Sequence, residues 1–223
     1  MYWAHDPTNN FYYLGCEEPT PQTYKKWLAD SPPAILGADV ETISLKERIA
    51  IGVGIAVKPD VAFYFPLFPS NSPVVPWNLL RNPHFTQVYH NGIFDLDCLS
   101  EYNINTNIMD TQVMSRLLCN KFNGLIDLSH IHQMEVHDAG DMLKEYGVKS
   151  MLDMPQDVVA RKCMQDAMAT LKLFWEFLPQ TNMEYFQTEM ATIPIMLQMT
   201  SRGIKIDQVE RARLEIILTQ DVE

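Results

Sequence analysis

Apolar positions cluster in short β-branched runs in the first half of the chain and recur at helical spacing in the second. Ala34–Val40 is a short apolar run with strand character. Arg48–Val57 is β-branched and punctuated by glycine, and Val61–Phe68 is aromatic and β-branched, so the three runs predict consecutive strands of one sheet. The proline-bearing stretch Pro66–Pro76 predicts a loop. Thr86–Tyr89 predicts a further strand, and Gly92–Tyr102 places Ile93, Leu96 and Leu99 at helical spacing. Ile104–Met109 reads as a short strand, with Asp110 as N-cap of a helix through Leu118. From Leu125 the pattern is helical. Gln156–Leu178 predicts a long amphipathic helix stopped by Pro179, and Tyr185–Ser201 a helix closed by Gly203, after which Asp207 caps a last one. Strands first, with helices between and after, predict an α/β fold with a mixed central sheet flanked by helices. Residues 1–33 read as a polar, aromatic lead-in with a short helix near Thr23–Leu28, and no internal repeat stands out.

Composition narrows this little. The chain has 223 residues, 47% hydrophobic and 20% charged, which suits a globular domain with an appendage. No apolar run approaches the roughly 20 residues of a membrane helix, and no signal peptide is visible, so no membrane partner is expected. Four scattered cysteines, Cys16, Cys98, Cys119 and Cys163, exclude a CxxC-type zinc cluster and suit a reducing, cytoplasmic or organellar compartment. A net charge of −11 argues against a protein that coats duplex DNA, which needs lysine and arginine. It leaves open a site where clustered carboxylates hold divalent cations that reverse the local charge.

Three acidic features carry candidate chemistry. Asp39-Val40-Glu41 ends the first predicted strand, where residues i and i+2 project from one face. Two like charges so placed repel unless a cation sits between them, and oxygen ligands suit Mg²⁺ or Mn²⁺. Taken alone, such a DxE is more often a solvated acidic turn. Asp95, in His90-Asn91-Gly92-Ile93-Phe94-Asp95, opens a helix and is accounted for equally by the helix dipole. Asp166 sits in the long helix beside Ala167 and Ala169, small residues that allow close packing on a sheet; a plain surface position is the alternative.

In order and spacing, the strand-borne DxE, the NxxxD at a strand-to-helix junction and the late helical aspartate resemble the DEDD exonuclease superfamily, from about Ala34 to Leu178. ADVETISL and HNGIFDLDCL are similar to the first two exonuclease motifs of family A DNA polymerases, and Asp110-Thr111 to the start of their next helix. Tyr185–Glu189, Pro194–Leu197 and Arg202–Asp207 resemble the passage from exonuclease into polymerase in that family. The resemblance implies a ribonuclease-H-like fold over residues 34–180 and the start of a polymerase module over 181–223. It implies a proofreading 3′–5′ exonuclease that releases nucleoside 5′-monophosphates from single-stranded DNA ends, as a monomer within a longer polymerase chain.

By the same resemblance, Asp39, Glu41, Asp95 and Asp166 hold two Mg²⁺ or Mn²⁺ ions, and such pairs activate the attacking water and stabilise the leaving 3′ oxygen. Leu45 corresponds to a leucine set against the terminal base, with a core leucine as the alternative. Asn91 corresponds to the second-motif asparagine near the sugar-phosphate, with a turn residue as the alternative. Thr42 joins them as a substrate contact. The pattern breaks at Lys162, where the family carries a water-orienting tyrosine; the histidine variant's position, one residue earlier, holds Arg161. Lysine is protonated at neutral pH. It is able to donate to the attacking hydroxide or pair with the scissile phosphate, or else it points to solvent over a weak site. Two rivals follow: an inactive exonuclease-like module that braces a polymerase, and a 3′–5′ exoribonuclease of the same fold. Asp97, Asp110, Glu135, Asp138, Asp141, His130, His132 and His137 are read as caps, surface groups or satisfied histidines, and the methionines as core filler.

Overall fold

The computed structural model describes residues 3–5, 12–13, 35–67, 77–104, 107–119, 121 and 123–220. The expected helix near Thr23–Leu28 and most of the Pro66–Pro76 loop lie outside them. Seven strands form one sheet: β1 (Trp3–His5), β2 (Tyr12–Tyr13), β3 (Ile35–Thr42), β4 (Ala50–Lys58), β5 (Val61–Pro66), β6 (Thr86–Tyr89) and β7 (Ile108–Asp110). Their order is β2-β1-β5-β4-β3-β6-β7. The four pairings from β2 to β3 are antiparallel, and β3/β6 and β6/β7 are parallel, which gives the expected mixed sheet. The segment read as a lead-in thus supplies two strands, because β1 pairs with the β5 edge through Trp3 and Tyr64.

The helices are α1 (Trp77–Leu80), α2 (Gly92–Cys98), α3 (Thr111–Cys119), α4 (Leu125–Ile131), α5 (Ala139–Tyr146), α6 (Gln156–Phe177), α7 (Met183–Met190), α8 (Ile193–Arg202) and α9 (Gln208–Gln220). They cover both faces. Alternation along β5 separates two cores: Ala62 and Tyr64 face α6, with Cys163, Ala167 and Leu171, while Phe63 and Phe65 join Leu79, Leu80 and Leu99 on the other side. Helix α6 crosses the middle of the sheet because two glycines let it approach. A Cβ at Gly54 would lie 2.7 Å from the Cys163 carbonyl oxygen, and one at Gly37 would overlap that of Ala167.

Several elements differ from expectation. The single helix expected over Tyr185–Ser201 is two, α7 and α8, with Pro194 in the first turn of α8, where its missing N–H costs nothing. The helix expected to reach Tyr102 ends at Cys98 and passes into a 3₁₀ turn at Ser100–Tyr102. Strand β7 starts at Ile108 rather than Ile104, and β4 at Ala50 rather than Arg48, which is exposed with φ 53°. The Val61–Phe68 strand closes at Pro66, and α6 gives way at Leu178 to a 3₁₀ turn that contains Pro179.

Candidate active site

Strand β3 is buried along both faces, and Asp39 and Glu41 project from the one that meets α6. On α6, Lys162, Cys163 and Asp166 lie within about one turn and face inward together. The Lys162 Nζ donates to Glu41 Oε1 and to Asp166 Oδ2, both at 2.7 Å, with all three residues buried. Lys162 therefore does not point to solvent. The Cys163 thiol donates to the Asp39 carbonyl oxygen at 3.6 Å.

Asp95 arrives from the other side. It lies in the first turn of α2, and its Oδ1 accepts the backbone N–H of Val40 at 3.0 Å, between the two strand carboxylates. Helix α2 is held there by Asp110, whose Oδ2 accepts from Gly92 N at 2.7 Å and whose Oδ1 accepts from Asn91 N at 3.2 Å. The same Oδ1 caps α3 through Gln112 N at 2.8 Å, so Asp110 is the expected helix cap and also a clamp between two helices.

Glu41, Lys162 and Asp166 thus join directly, Asp39 lies beside Glu41, and Asp95, across Val40, is near enough for its charge to act on Asp39. Burial, and then the charges of Asp166 and Glu41, hold the Asp39 carboxyl well above the ordinary carboxylate range. Burial and Asp110 do the same for Asp95. Asp166 is pushed up to about 6, because burial outweighs the Lys162 ammonium beside it. Burial alone would lower Lys162; Asp166, Glu41 and Asp39 together hold it well above lysine's usual value, as an ammonium.

The residues fit a hard divalent cation. Among the described residues, Asp39 Oδ2 and Asp166 Oδ1 are buried with no hydrogen-bond partner. Asp39, Glu41 and Cys163 each offer a ligand atom within 4.8 Å of the others, and the acids supply oxygen donors of the kind Mg²⁺ and Mn²⁺ take. Cys163 is the residue missed in the sequence; its place three before Asp166 on one helix face was the signal. Its thiol is pushed well up by burial and by Asp39, and soft sulfur suits Mg²⁺ or Mn²⁺ less well than carboxylate oxygen does.

The remaining candidates are placed more loosely. Leu45, in the loop between β3 and β4, is 79% exposed, so it is not a core leucine. Asn91 is exposed in the left-handed region at φ 67° and makes no side-chain cap. Thr42 is buried and donates its hydroxyl to the Ser44 carbonyl at 3.3 Å. Asp97 points away from the cluster to Arg48, at 2.7 Å. His132 pairs with Glu176 at 2.8 Å; His130, Glu135, Asp138 and Asp141 are exposed. His137, also exposed, stands near enough for its charge to favour ionised Asp166. Cys98, Cys119 and Cys163 are free thiols, and among the described residues no helix is long and apolar enough to cross a membrane.

No family model matches the chain. In sequence it is similar to DNA polymerase I of Chloroflexus aurantiacus, 25% identical over 193 residues, covering 76% of this chain and 20% of that protein. The chain thus spans about a fifth of the length of the curated relative it matches. In structure it is similar to Brucella melitensis NrnC, with a TM-score of 0.62 at 14% identity, over 81% of this chain and 92% of that one. NrnC has also been solved with bound Mg²⁺, and that structure matches with a TM-score of 0.59 at 14% identity, over 79% and 89% of the two chains. Escherichia coli RNase D, an exoribonuclease involved in structured RNA processing, matches with a TM-score of 0.55 at 12% identity, over 86% and 52%. The fold is the ribonuclease-H-like fold of the DEDD 3′–5′ exonucleases, and the expected resemblance to them holds.

Proposed function

We propose, starting from a chain with the fold of the DEDD 3′–5′ exonucleases, that it removes nucleoside 5′-monophosphates from single-stranded or frayed DNA 3′ ends and proofreads for a family A DNA polymerase. The observation that carries this is the acid pair Asp39 and Glu41 on β3 against Asp166 on α6, with Asp95 bound to the Val40 N–H between the pair, where among the described residues two buried carboxylate oxygens lack partners. Mg²⁺ or Mn²⁺ bound there would supply an acidified water and positive charge for the phosphate.

The chain's own residues do the rest. Asp39 and Glu41 are fixed by the strand, Asp95 by the Val40 N–H and the Asp110 clamp, and Asp166 by α6. A carboxylate cluster this buried admits an unpaired end more easily than a duplex. Leu45 offers an exposed apolar surface for the terminal base, and Asn91 an exposed amide at the mouth of α2. Base stacking of this kind is worth roughly 1–3 kcal/mol and tolerates sequence.

DNA and the polymerase are favoured by the similarity to DNA polymerase I. The C-terminal segment adds to it: Ile204, between α8 and α9, is 91% exposed and Val209, on α9, 82%, apolar surface that a following module of the same chain would cover. The exoribonuclease reading draws on the shared fold with RNase D. Incubation of 5′-labelled single-stranded DNA and RNA with Mn²⁺ separates the readings. The proposal expects a ladder that shortens from the 3′ end on DNA, faster than on RNA, and no ladder with Asp39→Ala. Preference for RNA would transfer the proposal to the exoribonuclease, and no metal-dependent shortening would leave a bracing module.

A further inference from the structure

Lys162 raises a question of ion count. Its Nζ touches one carboxylate from β3 and one from α6, Glu41 Oε1 and Asp166 Oδ2, each at 2.7 Å. The side chain is 9% exposed, so this is a desolvated contact and not a surface pair exchanging with water. Charge-assisted hydrogen bonds to two carboxylates compensate the burial of an ammonium, and removing either partner would leave a buried charge uncompensated. A divalent ion shared by Glu41 and Asp166 would need the space the ammonium fills, and two cations there would repel one another at close range. Among the described residues two buried oxygens are left open beside these contacts: Asp39 Oδ2 and the second oxygen of Asp166, Oδ1.

We propose that Lys162 is a built-in substitute for one of the two divalent ions of such sites, and that the chain takes up a single ion, held by Asp39 together with the carboxylate oxygens that Lys162 leaves free. This rests on the reading of the site as metal-dependent and narrows it from two ions to one. A fixed ammonium also accounts for lysine at this position, since it neutralises part of a four-acid cluster whether or not metal is present.

The test is a titration of the full chain with Mn²⁺ by calorimetry, followed by electron paramagnetic resonance of the saturated protein. The wild type is expected to bind one Mn²⁺ and show the hyperfine pattern of an isolated ion. Lys162→Met, of similar length without the charge, is expected to bind two and show an exchange-coupled pair. Two ions in the wild type would overturn the proposal, as would none at millimolar Mn²⁺, or one ion in a folded Lys162→Met. If that variant does not fold by circular dichroism, the wild-type count decides alone. The same samples are assayed on labelled single-stranded DNA. One bound ion without DNA shortening would remove the exonuclease reading and leave the ion count standing.

Discussion

Val40 donates its backbone N–H to Asp95 Oδ1 at 3.0 Å, tying the strand that carries Asp39 and Glu41 to the helix that carries Asp95. Strand β3 pairs with β6 only over Ile35–Gly37, so beyond that register Val40 meets no β6 residue and the carboxylate takes its N–H. One side chain thus serves both the fold and the site, and substitutions separate the two roles.

Asp95→Asn keeps an oxygen for Val40 and removes the charge. The metal-free protein is expected to be at least as stable as wild type at pH 8, while nuclease activity falls by more than about 100-fold, the upper range for losing even an outer-sphere metal contact. Asp95→Ala strands the buried N–H as well, at a cost of about 1–3 kcal/mol. Thermal melts and DNA digestion on both variants check this; a stable Ala variant with melting equal to the Asn variant would contradict it.

Gly37→Ala tests the approach of α6. The added methyl would overlap the Ala167 carbonyl, so helix and sheet must separate next to Asp166. Overpacking of this kind costs about 1–3 kcal/mol, and each kcal/mol lowers Tm by about 2–4 °C in a chain of this size. Activity should fall further than the loss of folded protein explains, measured with enzyme concentration corrected by circular dichroism.

Asp110→Ala removes the acceptor for four backbone N–H groups, those of Asn91, Gly92, Gln112 and Val113. A lost cap costs about 0.5–2 kcal/mol, and the buried Gly92 N–H adds to it. Metal affinity by calorimetry is expected to fall less than in Asp95→Ala, since Asp110 positions the helix that carries Asp95 and is not itself a ligand.

The metal-free protein should lose stability as pH rises. Asp166 is pushed up to about 6 from 3.8, with Asp39 and Asp95 raised in the same direction, all chiefly by burial. A carboxyl whose folded value exceeds its unfolded value favours folding fully below the unfolded value, and that contribution is lost as pH climbs through the folded one. Tm without metal should therefore fall between about pH 4 and pH 7 from this group. Mn²⁺ at 100 times its Kd restores about 3 kcal/mol, on the order of 5–10 °C, at pH 8. A flat metal-free profile and no metal-induced shift would contradict the electrostatics described above.

Much of this was legible in the sequence, for definite reasons. The strand period of two suffices to put Asp39 and Glu41 on one face, and the small residues Ala167 and Ala169 marked the long helix as one that packs closely on a sheet. The helix period also held the direction of Lys162: four residues before Asp166 means the same face, and Asp166 turns inward. What was not legible depends on partners distant in the chain. Trp3–His5 is too short to announce a strand and exists as one by pairing with β5. The break between Met190 and Ile193 left no mark, because the apolar spacing runs on through Pro194, which a first helical turn accepts. The second role of Asp110, holding Gly92, required β7 to end beside α2.

The most direct test of the central claim is anomalous diffraction from crystals soaked in Mn²⁺ with a nucleoside 5′-monophosphate. A manganese peak within bonding distance of an Asp39 carboxylate oxygen, with the phosphate against it, is the predicted result. Density that places no ion next to Asp39, with the Lys162 contacts to Glu41 and Asp166 intact and the nucleotide bound elsewhere or not at all, would contradict it.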